Sequence, residues 1–320
     1  MKIKILAYYT KINKLEFKKY LEDYSLEDLN YFKGIKEGIE NTNYFFKTKS
    51  NKYVLTIYEN KITERIKEKN LPFFIDLVNF LRKRKFPCPK ILFNNNNKQL
   101  NFHKKKQYTI IDFVEGKIVK KINFKHCYKL GRTLATLHKK TLNFKKKKKN
   151  DFSLNEWDKL IKRKIKLSKS KSFFLKKEMK YIKKNWPKKL PTGIIHGDLF
   201  PDNVFFKDNN IVGIIDLSNA CNDFFCYDLS ICINAWCYEN RLNIDKMKNL
   251  IKGYNSIRKI KIQEIKYLNL FLRASSLRFY LSRLMDSQNK KIPKKYKKNP
   301  KEYLKKLKYF QVNDVNNYFL

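Results

Sequence analysis

The chain has 320 residues, with 73 Lys+Arg against 29 Asp+Glu, a formal net charge of +44 and an isoelectric point near 9.9. That balance points toward an anionic partner, yet 42% hydrophobic and 15% aromatic residues exclude the composition of a disordered chain. Gly and Pro number only 8 each, and the abundant Lys, Asn, Ile, Phe and Tyr are residues of A/T-rich codons; with lysine spread over the whole chain, compositional drift explains the charge better than a nucleic-acid-binding stripe.

From the N-terminus, no stretch resembles a cleavable leader. No window approaches the roughly 18 apolar residues of a spanning helix, so a cytoplasmic protein with no membrane partner is expected. Tyr44–Phe46 and Tyr53–Tyr58, aromatic and β-branched around a polar Ser50-Asn51-Lys52 turn, predict an antiparallel hairpin. Leu71–Lys83 carries Phe74, Leu77, Val78 and Leu81 at helix spacing and stops before Pro87-Cys88-Pro89. Lys90–Phe93 and Gln107–Val114 read as further strands. Beyond Gly116 the period becomes helical, at Cys127–Lys139, Leu154–Leu167, Phe173–Trp186, Asp245–Tyr254 and Gln263–Met285, interrupted by one β-like segment at Ile194–Asp216. Lys145–Lys149 reads as a solvated loop. The chain is thus expected to be α+β and bilobal, a small sheet-rich lobe over 1–112 and a larger helical lobe over 113–320. The six cysteines form no C-x-x-C pair and are expected to be buried thiols.

The β-like segment carries the chemistry. An apolar run delivers His196, a loop then presents Asp198 and, five residues later, Asn203, and a predicted hairpin returns Asp216 beside the loop it left. Three hard oxygen donors at one edge suit phosphoryl transfer, in which positioning and charge neutralisation supply most of the catalysis. In the pattern H-x-D-x-x-x-x-N, the Asp accepts a hydroxyl proton, and the Asn with a later Asp holds Mg²⁺ among nucleotide phosphates.

His196-Gly197-Asp198-Leu199-Phe200-Pro201-Asp202-Asn203 resembles the catalytic loop of the aminoglycoside phosphotransferase and choline kinase superfamily, and more narrowly that of its bacterial homoserine kinases. The likeness extends to Phe32–Tyr44, Leu71–Phe74, Phe86–Pro89, Ala220–Asp223, Tyr227–Cys237 and Pro300–Leu304, most of which carry no chemistry, so it speaks for common descent. It implies a protein-kinase-like fold that transfers the ATP γ-phosphate to the hydroxyl of L-homoserine in threonine biosynthesis, with Mg²⁺ as cofactor. Carried over by position, Asp198 is the base, with His196 organising the loop beside it, and Asn203 and Asp216 are the metal ligands.

Gly34, Gly38 and Asn41 fall where a phosphate-covering loop belongs, although the full G-x-G-x-x-G pattern is missing. Ile110–Glu115, including Asp112 and Val114, resembles an adenine-binding hinge. The strand position that usually holds a phosphate-binding lysine is Thr56, which leaves Lys36 or Arg65 as substitutes. For the amino-acid head, Asp223, Asn234, Trp236, Arg278 and Arg283 are candidates. The two arginines, five apart, are expected not to share a face, with at most one pointing inward; Asp228 reads as a buried structural carboxylate. Related sequences carry an aromatic residue after the metal-binding Asp, where this chain has Leu217-Ser218. The alternatives are a kinase of choline, ethanolamine or methylthioribose, and a basic nucleic-acid-binding remnant, which the intact Asp198, Asn203 and Asp216 argue against. A monomer or homodimer that binds no nucleic acid is expected.

Overall fold

The computed structural model describes residues 10–36, 41–59, 68–290 and 292–319. It divides into two compact units, Met1–Glu115 with Lys291–Tyr296, and Gly116–Lys290 with Lys297–Leu320.

In the first unit, helix α1 (Lys14–Asp23) begins at Asn13, whose side chain accepts the Glu16 N–H while the Glu16 carboxylate accepts the Asn13 N–H. Strands β1 (Tyr31–Ile35), β2 (Asn41–Lys47) and β3 (Lys52–Tyr58) form an antiparallel meander. After α2 (Leu71–Lys83), β4 (Asn101–His103) and β5 (Lys106–Asp112) complete a five-stranded sheet in the order β1-β2-β3-β5-β4. Alternation along β3 sends Tyr53, Leu55 and Ile57 to one buried face, where they join Tyr44, Phe46, Tyr108 and Ile110 and pack on Phe17, Tyr20 and Leu21 of α1. Lys90–Phe93 is not the expected strand, because only Ile91 bridges, to Ile111. The edge is taken by β4, joined to β5 through Lys104 and Lys105 at φ 45° and 68°. Thr56, at the strand position that commonly holds a lysine in kinases, donates its hydroxyl to Asn43 Oδ1 at 2.8 Å.

In the second unit, β6 (Lys117–Ile118) precedes α3 (Phe124–Lys140), α4 (Leu154–Lys159), which runs on into a π-helical turn, and α5 (Lys169–Asn185). Strand β7 (Thr192–Ile195) pairs with β10 (Cys221–Phe224), and between them the hairpin β8 (Val204–Lys207) and β9 (Asn210–Ile214) pairs with β6. Helices α6 (Phe225–Trp236), α7 (Ile244–Asn255), α8 (Ile262–Lys266), α9 (Leu268–Gln288) and α10 (Pro300–Val312) follow. Helices α3 and α7 approach backbone to backbone: a Cβ on Gly131 would stand 2.0 Å from the Leu250 carbonyl oxygen, and one on Gly253 2.0 Å from that of Tyr128. Helices α6 and α9 are buried around nearly their whole circumference. All six cysteines are buried and free. The Lys145–Lys149 run is not wholly solvated, since Lys148 exchanges backbone and side-chain hydrogen bonds with Asn222 at the start of β10. No helix among the described residues is long and apolar enough to cross a membrane.

Candidate active site

The loop after β7 is held by groups from four other elements. His196 and Gly197 donate their backbone N–H groups to the two oxygens of Asp228 on α6, at 2.8 and 2.9 Å. His138 of α3 reaches the same carboxylate through Nε2 at 3.0 Å, and its Nδ1 meets the Tyr254 hydroxyl of α7 at 2.7 Å. Burial lowers the pKa of His138, so the imidazole is neutral, with Nε2–H donating to Asp228 and Nδ1 accepting from Tyr254. For Asp228 burial works upward, but the His138 hydrogen bond and the Gly197 N–H outweigh it and hold the carboxyl below its usual range. Asp228 is therefore a fully buried anion whose acceptor sites are filled, the condition under which such burial is tolerated.

Gly197 sits at φ +75°, and a Cβ there would lie 3.3 Å from the Asn219 carbonyl oxygen. Its own carbonyl accepts from Arg278 Nη1 of α9 at 2.7 Å. His196 braces the loop from inside: Nε2–H donates to the Ile215 carbonyl at 3.1 Å, and Nδ1 accepts the Asp198 N–H at 3.3 Å. Both nitrogens are committed and the residue is fully buried, so His196 joins the Asp198 loop to the end of β9 and has no atom free for proton transfer.

Asp198, Asn203 and Asp216 come together. Asn203 Nδ2 donates to the Asp198 carbonyl at 2.8 Å, which fixes the carboxamide, and the Asn203 carbonyl accepts the Ile215 N–H at 3.0 Å. Asp216 follows directly, in left-handed backbone conformation at φ 58° and ψ 53°, its carboxylate accepting the Ser218 hydroxyl. Leu217 fills the core at 1% exposure, so the Leu217-Ser218 pair supplies both packing and a carboxylate-orienting hydroxyl. Asp198 lies in a closely walled recess with some solvent access. Burial pushes its carboxyl up, the Arg278 guanidinium pulls it down, and the nearby Asp216 charge raises it again.

Two anionic or carboxamide oxygen donors on a fixed edge, Asn203 and Asp216, match what Mg²⁺ takes from a protein when phosphates and water complete its shell. No cluster of three or more His, Cys, Asp or Glu that could enclose a metal occurs among the described residues.

The amino-acid candidates separate. Asp223 accepts from Asn150 Nδ2 at 2.6 Å and from the Phe224 N–H at 2.7 Å, while burial pushes its carboxyl up. Asn234 is fully buried, donating to the Leu272 carbonyl and to Ser275 and Ser276 of α9, and Trp236, at 1% exposure, donates Nε1–H to the Leu199 carbonyl at 2.9 Å. Asn234 thus ties α6 to α9, and Trp236 ties α6 to the loop that carries Asp198. Both arginines are buried, against the expectation that at most one points inward, because α9 is surrounded on every side. Arg278 faces Gly197, whereas Arg283 pairs with Glu302 and the Asn299 carbonyl.

In the first unit Gly34 pairs with Tyr44, and Asn41 accepts the Glu59 N–H at 3.4 Å. Asp112 ends β5 with its carboxyl pushed up by burial, and Val114 follows it in the connecting segment. The Lys36 carbonyl accepts the Tyr296 hydroxyl at 2.9 Å. Gly38 and Arg65 lie outside the described residues.

Residues 32–257 match the phosphotransferase enzyme family. Homoserine kinase from Bartonella henselae is 40% identical over 287 residues, covering 88% of this chain and 89% of the relative. The chain belongs to the homoserine kinase group of the phosphotransferase enzyme family. The homoserine kinase of Rhizobium meliloti, a second member, is 39% identical over 88% of this chain and 87% of its own length. The fold is also that of an amicoumacin kinase solved with AMP-PNP and Ca²⁺ (TM-score 0.74, 13% identity, 97% of this chain and 94% of that one) and of a choline kinase from Streptococcus pneumoniae (TM-score 0.68, 13% identity, 94% and 100%). The family places a hydroxyl-directed phosphotransferase on this scaffold. Asp228 is the buried structural carboxylate expected from the sequence, but its hold on the loop 31 residues away, the support it takes from His138 and the reach of Arg278 to Gly197 across 81 residues carry no sequence signal.

Proposed function

We propose that this chain is an ATP-dependent homoserine kinase. It transfers the γ-phosphate of ATP to the side-chain hydroxyl of L-homoserine, giving O-phospho-L-homoserine and ADP, a cytoplasmic step toward threonine. The convergence of Asp198, Asn203 and Asp216 on one braced loop carries this reading, together with 40% identity to a homoserine kinase over most of the chain.

Asp198 accepts the proton of the homoserine hydroxyl as that oxygen forms its bond to the γ-phosphorus and the bond to the ADP oxygen breaks. A partly buried carboxylate suits this task, because a raised pKa brings its basicity closer to what the transfer needs. Asn203 and Asp216 would hold Mg²⁺, whose charge would offset that of the phosphates. His196 keeps the Asp198 backbone in place and tied to the strand end that presents Asp216. Gly34, Gly38 and Asn41 would cover the phosphates, and Asp112 and Val114 would flank the adenine. The lysine excess has no part in this chemistry.

Incubating the protein with Mg-ATP and, in turn, L-homoserine, choline, ethanolamine, methylthioribose and L-serine tests the reading through ADP release. L-Homoserine should be the preferred acceptor, and Asp198→Ala should lower its turnover by about a hundred- to ten-thousandfold. Preference for another acceptor, or an undiminished rate in the variant, refutes the assignment.

A further inference from the structure

Wholly within the second unit lies a cavity of about 320 Å³ walled by the segment before α4, by α4 itself, by Trp186 after α5, by β10 and by the start of α6. This is at the small end of ligand sites, which run to about 300–1,000 Å³, and suits a small amino acid. Two of its wall residues bring a buried polar atom: the Trp157 indole N–H, which has no hydrogen-bond partner among the described residues, and the Tyr227 hydroxyl, which interacts with the Arg278 guanidinium, in side chains 1% exposed. The Arg278 guanidinium itself is stacked 4.6 Å from the ring centre of Phe152, another wall residue. The fourth feature is an acid: Asp223 lines the same cavity, with Asn150 donating to one of its oxygens.

Buried donors left unpaired are costly, and folded proteins keep few of them without a purpose. Here the Trp157 N–H is such a donor, and it shares its cavity wall with the Tyr227 hydroxyl, which can donate while it accepts from Arg278. We infer that the cavity receives the zwitterionic head of the amino-acid substrate, with the Trp157 N–H, the Tyr227 hydroxyl and the Arg278 guanidinium reading its α-carboxylate and Asp223 reading its α-ammonium. This assignment rests on the kinase reading and gives it a specificity device: choline and ethanolamine carry no carboxylate for these donors to read. Arg278 also donates to the Gly197 carbonyl, so the group that reads the carboxylate is tied to the residue preceding Asp198. Head recognition and hydroxyl presentation are thereby linked through one side chain. Trp157 and Tyr227, far apart in the chain, are brought together by the fold, with ring centres 6.3 Å apart.

The test uses three acceptors: L-homoserine, 3-aminopropan-1-ol, which lacks the carboxylate, and 4-hydroxybutanoate, which lacks the ammonium. Trp157→Phe and Tyr227→Phe should each raise KM for L-homoserine about tenfold or more, the loss expected for a hydrogen bond to a charged group, and should raise KM for ATP and for 3-aminopropan-1-ol far less. Asp223→Asn should penalise L-homoserine and 3-aminopropan-1-ol but not 4-hydroxybutanoate. Thermal unfolding confirms that each variant is folded. Calorimetric titration of L-homoserine, L-serine and L-threonine without ATP reads binding independently of turnover. If the wild type phosphorylates homoserine and both aromatic variants keep its KM, the cavity assignment falls while the kinase reading stands. If another amino acid binds and loses affinity in the variants, the kinase reading falls while the cavity assignment stands. If no amino acid is bound or turned over, both fall.

Discussion

Asp228 accepts the Gly197 N–H on one carboxylate oxygen at 2.9 Å while its other oxygen holds the N–H of His196 at 2.8 Å, so one buried side chain on α6 sets two consecutive peptides of the loop that carries Asp198. Asp228→Asn would put an NH₂ group against a backbone N–H. The expected loss is about 3 kcal/mol, since at least one buried donor is left unpaired. Urea unfolding at neutral pH should show it, accompanied by a fall in kcat larger than any change in KM for ATP.

The same carboxylate makes stability depend on acidity. Both His138 and Asp228 have folded pKa values below their unfolded ones, so the unfolded chain binds the extra protons. Stability is complete above about pH 6.5, the ordinary histidine value, falls as pH drops below it, and falls further below about pH 4, where the Asp228 contribution goes too. Urea midpoints at pH 7.5, 6.5 and 5.5 should decline toward acid. His138→Gln should flatten that decline; an equally steep slope in the variant would move its origin elsewhere.

Gly197→Ala tests the loop backbone. At φ +75° an added Cβ costs about 1–2 kcal/mol and also presses on the Asn219 carbonyl oxygen. Stability should fall by roughly that amount, with a greater proportional loss of kcat, because Asp198 is the next residue.

Asn203→Ala and Asp216→Asn should each lower turnover by about a hundredfold or more and raise the Mg²⁺ concentration needed for half-maximal rate. A loss that is the same at every Mg²⁺ concentration would mean that these residues shape the loop without meeting the metal.

Trp236→Phe removes the indole N–H that serves the Leu199 carbonyl. It should cost about 1 kcal/mol in unfolding experiments and leave KM for L-homoserine unchanged. A raised KM would return Trp236 to the substrate site.

Legibility followed local chemistry. The β8–β9 turn is readable because Asp208 and Asn209, at φ 49° and 59°, are residues that tolerate the left-handed region. The β4–β5 turn uses two lysines for the same geometry, and its hairpin left no mark. Helix α6 is enclosed nearly all round, so it lacks the polar face that reveals a helix.

Within residues 196–216 the order of the chain alone determined that an Asp, an Asn and a second Asp would meet at one edge, because a short hairpin can only return to where it began. Tertiary structure decided what holds and surrounds that edge. Asp228, His138 and Arg278 arrive from three helices, and Trp157, Tyr227 and Asp223 wall one cavity from separate elements. Their hydrogen bonds span tens of residues and carry no local period, so only the packed helices bring them within reach.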